Sequence, residues 1–153
     1  MKRSKSGFTI LELLVVLMVG GVLTSISVRS FSSVRDRMVQ RQSQRAFQSM
    51  NARARAMAIE SGGFVKFMLD TAGDSIWIER NDTTIELVNM LTEYGVDLTA
   101  SYTTMTNCFN SRGIADSNCT SYTGLSVAGF RSGGVTRSIF MLPLGGMVEQ
   151  TGS

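Results

Sequence analysis

Apolar and polar positions divide the chain into three stretches. From Phe8 to Val28 the residues are almost continuously apolar, FTILELLVVLMVGGVLTSISV, about the length that spans a bilayer core. From Val28 the pattern becomes helical. Phe31, Val34, Met38, Ala46, Met50, Ala54 and Met57 follow three- and four-residue steps, with Gln42 filling one place on the stripe. No Pro interrupts, and Gly62-Gly63 supplies a stop signal. One helix is predicted from about Phe8 to Glu60, roughly 80 Å long at 1.5 Å per residue.

Beyond Gly63 the period is that of strands. Phe64–Leu69 and Ser75–Arg80 flank a hairpin-like turn at Asp70-Thr-Ala-Gly-Asp74. Thr84–Leu91, Val96–Tyr102, Ser138–Leu142 and Met147–Gln150 are further candidates, and Pro143-Leu144-Gly145-Gly146 reads as a second turn. Residues 103–124 are polar and loop-like. A helix followed by strands predicts an α+β fold, with an antiparallel sheet packed on the helix's apolar stripe. The division expected is 1–7 as a leader, 8–28 as a membrane span, 29–61 as an amphipathic stem and 62–153 as a β-rich head.

The charges sharpen this picture. The net +3 comes from 15 basic and 12 acidic residues, and Lys2, Arg3 and Lys5 all precede Gly7. By the positive-inside rule they hold the N-terminus in the cytoplasm. Between Arg29 and Ile59 lie seven Arg and one acid, Asp36, whereas Glu60–Ser153 carries five basic and ten acidic residues. An Arg-rich face of this kind meets either acidic heads of neighbouring subunits or phosphate groups of lipid or nucleic acid.

Candidate chemistry is sparse. The chain has no His, which excludes histidine bases and His-ligated metals, and no G-x-S-x-G elbow, P-loop or GxGxxG motif. No enzyme, cofactor or metal is expected. Two cysteines, Cys108 and Cys119, make a poor zinc site and a natural disulfide if the head lies outside the cytoplasm. Asp70 and Asp74 fit a turn better than an active site. Glu12 is the anomaly: a carboxylate in an apolar segment is costly, so it normally has a partner or a task. A secretory signal peptide would share the basic-then-apolar outline, but no A-x-A-like site follows.

The segment Lys5-Ser6-Gly7-Phe8-Thr9-Ile10-Leu11-Glu12 resembles the class III signal of type IV pilins and type II secretion pseudopilins. The resemblance implies cleavage by a prepilin peptidase between Gly7 and Phe8, followed by N-methylation of Phe8. It also implies that Glu12 sets axial register, neutralised by the α-amino group of Phe8 on a neighbouring subunit; Phe8 of the same chain, one helical turn away, is the alternative partner. Many major pilins carry Pro where this chain has Arg29.

Met50-Asn51-Ala52-Arg53-Ala54-Arg55-Ala56-Met57-Ala58-Ile59 is similar to the end of the stem helix in the GspH/FimT minor pseudopilins. Phe140-Met141-Leu142-Pro143-Leu144-Gly145 resembles their C-terminal Phe-x-Pro-x-Gly segment with one extra residue. This branch implies a single-pass protein of the bacterial inner membrane, its N-terminus cytoplasmic and its head periplasmic, before entry into a filament. Its partners would be prepilin peptidase, other pilins through helix packing, the inner-membrane assembly platform and the lipid bilayer. The function implied is assembly or priming of a type II secretion pseudopilus or type IV pilus. An alternative is a DNA-binding minor pilin, whose contacts here would be Arg131 and Arg137, with Phe130 stacking on a base. Ordinary surface arginine is the competing reading of both.

Overall fold

The computed structural model describes residues 9–150, with the side chains of residues 26–30 and 33 outside that description. Helix α1 runs Ile10–Ser61. It contains no proline, and it stops where Gly62 takes a left-handed φ of 66°. The chain divides into two compact units, the first ending at Arg35 and the second comprising Asp36–Ser153. In the first unit the described apolar side chains, Ile10 through Leu23, are exposed. The second unit begins within α1, so the last part of the helix belongs to the head's own core.

Eight strands and a short helix complete the second unit: β1 (Val65–Asp70), β2 (Ser75–Arg80), β3 (Thr83–Asn89), α2 (Met90–Tyr94), β4 (Asp97–Ala100), β5 (Thr104–Phe109), β6 (Ser126–Ser132), β7 (Val135–Met141) and β8 (Met147–Glu149). They form two four-stranded antiparallel sheets, ordered β3-β2-β1-β5 and β4-β6-β7-β8. Two of these strands depart from the sequence reading: β5 lies within residues 103–124, expected to be loop, and β6 lies mostly in a segment given no element. In β5 the polar run Thr-Met-Thr-Asn-Cys-Phe hides the alternation, yet Met105, Asn107 and Phe109 are all buried. In β6 a central glycine, Gly129, interrupts the pattern, and a Cβ there would strike the Thr99 hydroxyl on β4.

The core lies between α1 and the inner faces of both sheets. Val65, Phe67 and Leu69 of β1 and Ile76 and Ile78 of β2 contribute from the first sheet. Leu98, Ala128, Phe130, Ile139 and Met141 contribute from the second. Phe47 of α1 joins them, with its ring edge-on to Phe67 at 5.0 Å and to Phe130 at 5.3 Å.

From Ala46 onward the helix buries the expected stripe, with Ala46 and Met57 packed against the core, but before it the inward positions are polar. Phe47, Met50, Ala54 and Ala58 are buried, together with the polar Gln40, Ser43, Gln44 and Asn51. Met38 is 55% exposed, and in the first unit Phe31 and Val34 are exposed as well. The polar residues face inward because Gln40 and Asn51 reach the backbone of the second sheet and its turns. Gln40 Nε2 donates to Ser132 O at 3.2 Å and Val135 O at 2.7 Å, at the two ends of the β6–β7 turn. Apolar periodicity scores such positions as outward-facing.

Candidate functional site

Gly7 and Phe8, where cleavage and methylation are expected, lie outside the described residues. The description begins at Thr9, and Thr9 starts the helix. Its Oγ1 accepts from the Glu12 N–H at 3.3 Å, and its carbonyl accepts from the N–H groups of Glu12 and Leu13. This is the N-terminal half of a capping box, Thr-x-x-Glu, a signal present in the sequence but not in the apolar pattern. Glu12 therefore occupies the first helical turn, where a carboxylate is favoured by the orphan N–H groups and the positive end of the helix dipole.

Exposed apolar side chains follow Glu12, including Leu13, Leu14, Val15, Val16, Leu17, Met18 and Val19. Among the described residues no helix is long and apolar enough to cross a membrane. The expected span, 8–28, extends beyond the described side chains at both ends.

The two cysteines are brought together: Cys108 and Cys119 form a disulfide with Cα atoms 5.5 Å apart. Backbone bonds support the bridge. Asp116 N donates to Cys108 O at 2.7 Å, Cys108 N donates to Thr120 Oγ1 at 3.3 Å, and Ser121 N donates to Thr106 O at 3.0 Å. The bridged loop thereby covers the outer edge of β5, an edge that would otherwise offer open backbone groups.

Arg131 and Arg137 are not brought together. In the β6–β7 register Arg131 stands opposite Thr136, and Arg137 stands opposite Phe130. Side chains alternate across a strand, so the two arginines occupy opposite faces of the sheet. Phe130 is fully buried against Phe47, so its face is not available to stack on a base. The turn between these strands is Gly133-Gly134, with φ of 58° and 79°. A Cβ on Gly133 would run into the carboxylate of Asp36, which leaves that turn seated against α1.

Several other titratable groups are engaged within the head. Lys66 bonds Glu79 at 2.7 Å and Asp82 at 3.1 Å, and the Glu79 bond, followed by that to Asp82, raises its pKa. Burial pushes the Tyr122 phenol up to about 12. Asp70 accepts the N–H groups of Ala72 and Gly73 within its turn, and Asp74 Oδ1 accepts from Leu98 N at 2.7 Å, which joins that turn to β4. Among the described residues no group of three or more His, Cys, Asp or Glu is placed to hold a metal ion. Open clefts of about 240 and 320 Å³ adjoin at Ser61 and Arg80, at the end of α1.

Residues 2–28 match the prokaryotic N-terminal methylation motif. No match was found among curated proteins. Among solved structures the chain is similar to two crystal forms of the type IV minor pilin FimU of Pseudomonas aeruginosa. One is 12% identical, covers 70% of this chain and 91% of FimU, and has a TM-score of 0.47. The other is 9% identical, covers 82% and 92%, and has a TM-score of 0.49. At that level of likeness nothing about this chain rests on FimU. The methylation motif thus precedes and overlaps the start of a long N-terminal helix, which an antiparallel β head follows.

Proposed function

We propose that this chain is the precursor of a minor pilin or pseudopilin, a structural subunit that helps assemble or prime a filament at the bacterial inner membrane. The observation that carries the reading is the methylation motif over residues 2–28, which takes in a helical run of exposed apolar side chains with one acid, Glu12. In this reading the prepilin peptidase cuts after Gly7 and Phe8 is methylated. Residues 8–28 then anchor the subunit in the bilayer, and the head lies outside the cytoplasm. Exposed apolar helix is costly in water and stable in lipid or among like helices. An unpaired carboxylate is expensive in either dry setting, and the cationic amine of Phe8 on a neighbouring subunit would satisfy Glu12. Methylation keeps that amine charged. The Cys108–Cys119 bridge supports an oxidising compartment for the head.

Intact mass and N-terminal sequencing of the membrane-extracted protein, expressed with and without a prepilin peptidase, test this reading. A peptidase-dependent shift to a methylated Phe8 terminus is expected. A chain left uncut, or cut beyond Val28, would replace it with an uncleaved anchor or an ordinary signal peptide. A DNA-binding head has less support, because Arg131 and Arg137 stand on opposite faces of their sheet.

A further inference from the structure

Basic residues crowd the part of the chain that follows the expected span. Arg29, Arg35, Arg37, Arg41 and Arg45 all fall within 17 residues of Val28, and Asp36 is the one acid among them. Cleavage after Gly7 would remove Lys2, Arg3 and Lys5, so every basic residue left beside the span would lie on its outer side. That reverses the charge bias that orients the precursor, and the arginines then need a counter-charge of their own.

Within the second unit that counter-charge is missing among the described residues. Arg37, Arg41 and Arg45 are exposed and make no ion pair there, while the Asp36 carboxylate is taken up against the Gly133 turn. Arg53, farther along α1, does find an acid, Glu86 on β3, at 2.8 Å. The i, i+4, i+8 spacing stacks Arg37, Arg41 and Arg45 on one side of the helix, about 6 Å apart along its axis. Exposed apolar side chains also continue past Val28: Phe31 and Val34 in the first unit, and Met38 in the second. Arginine interleaved with exposed apolar residues suits the boundary between acyl chains and headgroups. Carbon stems lie against lipid there, and guanidinium groups reach the phosphates.

We propose that Arg37 and Arg41 bind the headgroup phosphates of anionic phospholipid at the outer face of the inner membrane. The proposal rests on the filament-subunit reading and adds the lipid chemistry that holds an unassembled subunit. An arginine fork fits phosphate oxygens, and side chains on a helix lean towards its N-terminus, here back towards the span. A bilayer also accepts the neighbouring apolar side chains, which the phosphates of a duplex would leave in water. The headgroup layer adds only about 5–8 Å to each side of the hydrocarbon, so contact fades along the ridge. Arg37 is the nearest of the three to Val28 in sequence, and Arg45 stands about 12 Å farther along the helix.

The test places the peptidase-processed, full-length protein in phosphatidylcholine vesicles with spin-labelled phosphatidylglycerol or spin-labelled phosphatidylcholine. The motionally restricted fraction of each probe reads its association with the protein. Phosphatidylglycerol should be preferred about fivefold, and Arg37→Gln with Arg41→Gln should bring that preference close to parity. Arg45→Gln should leave it within about twofold, because screening isolates a charge that far from the phosphates. Arg37→Lys with Arg41→Lys should keep most of it, which separates loss of charge from loss of fold. No preference in the parent, or as large a loss from Arg45→Gln as from Arg37→Gln, overturns the proposal. Duplex DNA that binds through all three arginines and abolishes the phosphatidylglycerol preference would assign the ridge to nucleic acid instead. N-terminal sequencing of the same samples separates the two readings. Cleavage at Gly7 without a lipid preference rejects only the lipid site. A preference in a chain that the peptidase leaves uncut, lost in the same double variant, rejects only the filament precursor.

Discussion

Asn107 Nδ2 on β5 donates to Asn51 Oδ1 on α1 at 3.1 Å, and both side chains are buried. Asn51 Nδ2 in turn donates to Gly145 O at 3.2 Å, in the turn between β7 and β8. One helix side chain thus ties the first sheet to a turn of the second. Gly145 can approach because it has no Cβ, its φ is 83°, and a side chain there would strike the Phe109 ring. Asn51→Ala should cost about 1–3 kcal/mol for each of the two partners left unpaired. Chemical denaturation of the purified protein in detergent measures this, and an unchanged midpoint would mean that water replaces both bonds. Asn51→Leu should be no better, since volume does not restore a hydrogen bond.

The Cys108–Cys119 bridge closes a short loop with a sequence separation of 11 over the edge of β5. Replacing both cysteines with Ser should lower stability by about 2–4 kcal/mol. Hydrogen exchange should then rise first along Thr104–Phe109, because the covering bonds from Asp116 and Ser121 go with the loop. Uniform acceleration across the head would instead point to a global loss.

Tyr122 gives a pH signature. Its phenol is buried without a hydrogen-bond partner among the described residues, and burial raises its pKa from 10.0 to about 12. The unfolded chain ionises first, so the contribution is fully present below pH 10 and is lost as pH rises towards 12. Tyr122→Phe should be neutral or mildly stabilising at neutral pH, since it removes an unsatisfied hydroxyl. It should also flatten the fall in melting temperature above pH 10 relative to the parent. A variant that falls as steeply as the parent would assign that loss to other groups.

Glu12→Ala tests the register proposal. Thr9 caps the helix through its own hydroxyl, so the start of α1 should survive the substitution. Cleavage after Gly7 should continue while incorporation into filaments drops severalfold or more. Sheared-filament immunoblots beside N-terminal sequencing read both outcomes. Normal incorporation would remove Glu12 from assembly.

Much of the fold was legible because it depends on local pattern. An unbroken helical stretch without proline, a glycine stop, and two Asp- or Gly-rich turns each encode their geometry within a few residues. The hairpin at Asn81-Asp82, with φ of 51° and 56°, came only from the structure. The two strands that escaped, β5 and β6, carry Thr, Asn and Gly at places where neighbouring strands supply the burial.

The sequence by itself determined the N-terminal motif, the change from apolar run to stem to strands, the segregation of arginine from acid, and the proximity of two cysteines along the chain. These are properties of order and composition, and they need no partner to exist. Only the tertiary structure decided that two sheets form, that Gln40 and Asn51 face inward, and that Arg131 and Arg137 part company. Each of those depends on which backbone groups lie opposite in space, and hydrogen bonds to a distant strand can outweigh the polarity that a residue shows in its own neighbourhood.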